Sequence, residues 1–167
     1  MGAIPTFKGY MGFPASICTS INDEVVHGTP GPRRLEEGDI ISIDVGATLN
    51  GYVGDTAATF PVGKVSPLAE RLMQATREAL YAGIAAAVEG NTVGDIGYAV
   101  ESVVRRYGFT VVRDYAGHGV GRNMHEDPSV PNFGIPGTGP VLRRGMVIAI
   151  EPMVNAGTWK TRVLEDG

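Results

Sequence analysis

The stretch GDIISIDVGATLNGYVGDTAATF, residues 38–60, decides the fold. Asn50-Gly51 sits between two strand-like runs, and both residues tolerate the positive φ that a two-residue type I′ hairpin turn demands. With Asn50 and Gly51 as the loop, Leu49 pairs with Tyr52, and the residue numbers of every cross-strand pair sum to 101. Asp44 then lies opposite Ala57, and Asp55 opposite Gly46. Directly opposed residues share a face, as do residues two apart, so Asp44 and Asp55 project from one side as diagonal neighbours. Ile41, Ile43, Val45, Ala58 and Phe60 fall on the other side, an apolar face that needs covering.

Diagonal neighbours lie roughly 7–8 Å apart at the backbone, and two carboxylates so placed repel unless something positive lies between them. Solvation on an open sheet face is one answer, and a divalent metal is the other. The remainder of the chain bears on the choice.

Twenty-four glycines and 11 prolines make 35 of 167 residues, which predicts many short elements joined by tight turns. The length suits a single domain with its own core, and 43% hydrophobic residues make the chain globular rather than disordered. A net charge of −4 without a basic cluster argues against nucleic acid as a partner. The single cysteine, Cys18, excludes an intramolecular disulfide and a thiolate zinc cluster, and fits a reducing, cytoplasmic setting. No apolar run approaches the roughly 18 residues of a membrane span.

In chain order, residues 1–23 read as a loop-rich segment, and Glu24-Val25-Val26 as a short strand ending in His27-Gly28; a lone histidine at a strand end is usually structural or solvated. Beyond the hairpin, Ser66 can cap a helix with Pro67 at its first position, where a missing N–H costs nothing. Leu68, Leu72, Ala75, Ala79, Leu80, Ile84, Ala87 and Val88 form its expected core stripe. Thr92 and Asp95 have capping-box spacing and open a second helix, with Ile96, Val100, Val103, Val104 and Tyr107 inward and Gly108 as the stop. Phe109–Val112 returns as a strand. Helices following an antiparallel hairpin define an α+β domain, with helices on the sheet's apolar face.

Gly117-His118-Gly119-Val120-Gly121 is not a phosphate loop, because neither the G-x-G-x-x-G spacing nor a following Gly-Lys-Ser/Thr is present. Its glycines let the backbone crowd a neighbour while presenting one functional side chain, His118. His125-Glu126 is followed by Ser129 where a zinc-protease helix needs a second histidine. The chain also echoes itself: Gly-Asp-Ile-Ile-Ser-Ile-Asp at 38–44 and Gly-Met-Val-Ile-Ala-Ile-Glu at 145–151 match at the glycine, three apolar positions, a small residue and a terminal acid. Duplicated halves commonly build one site across a pseudo-twofold axis, which directs Glu151 toward the centre shared with Asp44. Asp44, Asp55, His118 and Glu151 then form an oxygen and nitrogen ligand set for Mn, Fe, Co or Zn. An excess of carboxylates over imidazoles favours two ions and a water nucleophile activated between them. His27 and His125 remain to donate hydrogen bonds to substrate or a developing oxyanion.

These motifs, Ser20-Ile21-Asn22 through Val26-His27-Gly28, Ile43-Asp44-Val45 with Gly54-Asp55-Thr56, Gly117–Gly121 with His125-Glu126-Asp127-Pro128, and Ile150-Glu151-Pro152-Met153, are together similar to those of type I methionine aminopeptidases of the pita-bread fold. The resemblance spans residues 7 to 167. It implies that Asp44, Asp55, His118 and Glu151 are four of five ligands to two divalent ions, with Asp55 bridging. It implies His27, His125 and Glu151 as the catalytic group, with His27 and His125 contacting substrate. Tyr10, Phe13 and Cys18 would wall the pocket for a methionine side chain, and Met124 stands where an aromatic residue is common. The implied reaction removes the N-terminal methionine of nascent proteins when the second residue is small, with ribosome association as a further expectation. No motif match for the fifth ligand is found, so residues 1–167 read as one catalytic domain shortened at both ends. Its unpaired sheet edge would leave a monomer open to dimerisation or domain swapping. An X-Pro peptidase relative and an impaired binding module are the alternatives.

Overall fold

Asn50 and Gly51 have φ of 52° and 79°, the backbone a type I′ tip requires. The protein is described by a computed structural model covering residues 2–165. The arms are β3, Ile40–Leu49, and β4, Tyr52–Pro61, paired in the expected register from Leu49↔Tyr52 to Ile40↔Pro61. β1 (Ile4–Pro5) and β2 (Cys18–Ile21) pair antiparallel with the other edge of β3, giving a four-stranded sheet.

The strand expected at Glu24–Val26 is instead β2, several residues earlier. Val25-Val26 has β-branched composition, but Asn22 has φ 57° and turns the chain. The Glu24 carboxylate accepts a hydrogen bond from the Ile21 N–H at 2.8 Å and closes that turn. Local side-chain bonding overrides strand propensity here.

The described residues form two compact units, one drawing on the chain up to Ala69, Val120–Met124 and the chain from Val163, the other on Glu70–Gly119 and His125–Arg162. The first unit is organised by the sheet. Ile21 and Ile41, opposed across β2 and β3, are buried, whereas Phe60 at the far end of β4 is 50% exposed. The apolar face of the hairpin is thus unevenly covered.

The second unit is helical at its centre. α1 (Pro67–Ala86) starts where Ser66 Oγ accepts the Ala69 N–H at 3.1 Å. Its buried residues are Ala75, Ala79 and Gly83, while Leu68, Ile84 and Val88 of the expected stripe are about half exposed. Small side chains permit the closer approach: a Cβ at Gly83 would lie 2.9 Å from Val100 and 3.1 Å from Ile150. The expected stripe thus holds at Ala75 and Ala79, with Leu72 and Ala87 packed against the core, and fails at its bulky outer positions. α2 (Val93–Arg106) has the expected capping box between Thr92 and Asp95, and buries Ile96, Val100 and Val104 completely. Each such side chain contributes roughly 1.5–3 kcal/mol over the exposed state.

β5 (Thr110–Val111) pairs with β8 (Val154–Asn155), and β6 (Ala116–Gly119) with β7 (Glu126–Pro131). The face of α2 carrying Gly94 and Gly97 lies directly on the chain that follows β7. A Cβ at Gly97 would run into the main-chain carbonyls of Phe133 and Pro131. Gly97→Ala is therefore expected to destabilise the protein by about 1–3 kcal/mol through overpacking. Denaturant unfolding measures this, and an unchanged midpoint would contradict the close packing.

Candidate functional site

In the first unit, the face of β3 and β4 bearing Asp44 and Asp55 has the predicted diagonal arrangement, Asp44 opposing Ala57 and Gly46 opposing Asp55. The Asp44 carboxyl is pushed up to about 6, chiefly by burial and then by the Asp55 charge, and the two carboxyls are hydrogen-bonded. Two carboxylates make such a bond only by sharing a proton. Asp44 Oδ1 is buried with no hydrogen-bond partner. A buried orphan acceptor beside a second acid is the environment that a cation would complete.

Cys18 faces Asp44 directly across β2 and β3. It belongs to a cluster with Phe7 and Met124, against which Phe13 and Val53 pack; the rings of Phe7 and Phe13 meet edge to face at 6.5 Å. Segment 120–124 is tied to the hairpin where Val53 N–H donates to the Gly121 carbonyl at 2.8 Å. Burial, reinforced by Asp44 and Asp55, pushes the Cys18 thiol up to about 11, so it is a neutral apolar group rather than a nucleophile. Of the expected wall residues, Phe13 and Cys18 thus share one apolar surface beside the acids. Tyr10 starts a short 3-10 turn and is 38% exposed, outside that cluster. Phe7 is a wall residue that the sequence reading missed, having no periodic pattern to mark it.

His27 occupies an exposed turn with φ 62°. The next residue holds that turn against β2: Gly28 N–H donates to Ser20 Oγ at 3.2 Å, and its carbonyl accepts from Thr19 N–H at 2.8 Å. Left-handed backbone at a residue other than glycine is uncommon and tends to mark functional or strained positions.

In the second unit, β6 runs between β7 and the segment before Glu151. Ala149 N–H donates to the His118 carbonyl at 2.7 Å, and Gly119 bridges Ile148. The glycines flanking His118 allow this, since a Cβ at Gly117 would strike the Ala149 carbonyl and one at Gly119 the Asp127 carbonyl. His118 is buried, and its Nδ1 lies 2.7 Å from the Gly119 carbonyl. Only a protonated Nδ1 can bond to that oxygen, so the neutral ring presents its Nε2 lone pair. Nε2 lies 3.4 Å from Glu151 Oε1. The His125 ring is 4.3 Å from that of His118, tilted by 58°. His118, His125 and Glu151 therefore come together. An imidazole oriented through its second nitrogen, with a carboxylate beside the first, has the donor chemistry of a divalent-metal site. Asn132, fully buried behind Glu151, was not anticipated; a polar residue after a proline carries no signal of its own in the sequence.

The fold and these side chains place the chain in a family of metallopeptidases. The profile of metallopeptidase family M24 matches residues 3–166, and the chain belongs to that family, with its pita-bread fold. Its relatives include a methionine aminopeptidase of Clostridium acetobutylicum, 57% identical over 161 residues, which cover 96% of this chain and 64% of the relative. Methionine aminopeptidase 1 of Bacillus subtilis is 54% identical over 165 residues, 99% of this chain and 66% of that one. The crystal structure of methionine aminopeptidase from Thermotoga maritima matches with a TM-score of 0.96 and 48% identity, covering 99% of this chain and 67% of that one. The chain thus spans about two thirds of the length of these relatives.

Because the folded pKa of Asp44 lies above its ordinary value of 3.8, the metal-free fold binds that proton more tightly than the unfolded chain. The resulting stability is complete below about pH 4 and is lost as pH rises through about 6. In chelator, Asp44→Asn should be more stable than the parent at pH 8 by on the order of 1–2 kcal/mol, with the gap closing at pH 4. Thermal unfolding at the two pH values checks this; a gap independent of pH would show that Asp44 is not the titrating group.

Proposed function

We propose that the chain carries the catalytic portion of a metal-dependent aminopeptidase that removes an N-terminal methionine preceding a small residue. The observation that carries the reading is His118 anchored at Nδ1, with Nε2 beside Glu151, in a chain of metallopeptidase family M24. The names of its relatives support the substrate class, since those proteins are methionine aminopeptidases over nearly all of this chain. On this reading the two units act as one catalytic domain in which Asp44, Asp55, His118 and Glu151 hold two divalent ions. Such ions supply Lewis acidity and acidify a water toward neutral pH.

The protein's own groups do the remaining work. The fixed tautomer of His118 keeps a lone pair available without a proton to displace. Asp44 and Asp55 give up their shared proton when a cation replaces it. His125, exposed beside His118, and His27 on its strained turn donate to the substrate carbonyl as negative charge develops there. The surface of Phe7, Phe13, Cys18, Val53 and Met124 receives an unbranched apolar side chain, and the neutral thiol of Cys18 suits that contact. Nascent proteins are the substrates, met at the ribosome in the cytoplasm.

Incubation of the chain with a Met-Ala-Ser peptide and Mn or Co should release free methionine, and a chelated control should not. Faster cleavage of an X-Pro peptide would overturn the substrate assignment. No release from folded, metal-loaded protein would overturn the activity of this portion alone. Asp55→Asn, in a full-length relative sharing these motifs, should lose metal and activity together. His125→Ala should keep its metal content and lose turnover by about 10²–10³-fold; loss of metal in that variant would refute its assignment to substrate.

A further inference from the structure

Asn132 is the one polar residue among the largest fully buried side chains, at 1% exposure. Burying an amide without compensation is costly, so its partner matters. Asn132 caps no helix. Its Nδ2 donates to the main-chain carbonyl of Glu151 at 3.2 Å, across 19 residues of sequence.

On either side of Glu151 the main chain is tied to neighbouring segments. Ala149 N–H bonds to the His118 carbonyl, and the Met153 carbonyl accepts from Val112 N–H at 2.9 Å. Pro152 has no N–H to offer between them. The Asn132 side chain fills that gap. It directly follows β7, in which Ser129 pairs with His118 of β6. The segment bearing Asn132 is itself seated on α2, where Gly97 leaves room for the carbonyls of Pro131 and Phe133. One amide therefore joins the β6–β7 ladder that carries His118 to the segment that carries Glu151.

We infer that Asn132 is a positioning residue for the metal centre, holding the Glu151 main chain so that its carboxylate stays beside His118 Nε2. This rests on the reading of Glu151 as a metal ligand. Loss of a partner behind a metal ligand typically weakens metal affinity by roughly 10–100-fold.

The test is titration of the chelator-stripped chain with Mn by calorimetry. The variants are Asn132→Leu, close in volume but without a donor, Glu151→Gln, and the double variant. Asn132→Leu should keep a native near-ultraviolet circular dichroism spectrum and bind Mn about 10–100-fold more weakly. In the Glu151→Gln background the same change should produce little further loss, because both act through one carboxylate. Undiminished affinity in folded Asn132→Leu, or full additivity in the double variant, would overturn the assignment. If Glu151→Gln itself binds Mn like the parent, the ligand reading fails instead, and the two failures are distinguished. Should the leucine variant not fold, Asn132→Ser, too short to reach the carbonyl, is subject to the same outcomes.

Discussion

The repulsion between Asp44 and Asp55 is the constraint on which the rest of this protein depends. A hairpin of fixed register places both acids on one face, and burial raises the cost of ionising them together. A metal-free chain meets that cost by holding a proton up to about pH 6, and on the proposed reading cations take its place. Either way the hairpin cannot relax by slipping, because a one-residue shift would send each side chain to the opposite face. A rigid two-residue turn is therefore a functional requirement as much as a structural one.

The second unit answers a complementary problem, how to hold an imidazole on a strand and a carboxylate on an irregular segment at a defined distance. Glycines beside His118 bring the neighbouring backbones close, and the Gly119 carbonyl selects the tautomer. The small face of α1 and the glycine face of α2 repeat the same device on a larger scale. Backbone approach replaces side-chain bulk on both scales. This gives the abundance of glycine a physical reason that composition alone does not supply.

The two halves of the internal echo reach different local structures. Gly38 and Gly145 share positive φ, at 101° and 91°, but residues after Gly38 enter a ten-residue strand, whereas those after Gly145 meet β6 only around Ile148 and Ala149. Pro152 interrupts pairing immediately after the acid. The Asn132 amide takes over a holding role that ladder hydrogen bonds perform around Asp44.

Much of this was legible in the sequence because it is local. The hairpin register follows from Asn50-Gly51, the start of α2 from Thr92 and Asp95, and the separate acids and histidines from short motifs. Where local signals competed, the reading went astray: Val25-Val26 suggested a strand where Glu24 closes a turn, and Leu68, Ile84 and Val88 were added to a stripe whose buried members are Ala75 and Ala79, with Gly83 beside them. Tertiary structure alone decided the placement of Phe7 beside Cys18 and the burial of Asn132 behind Glu151. Those are contacts between residues distant in sequence. Their energies come from packing and from hydrogen bonds closed across the fold, and no periodicity along the chain encodes them.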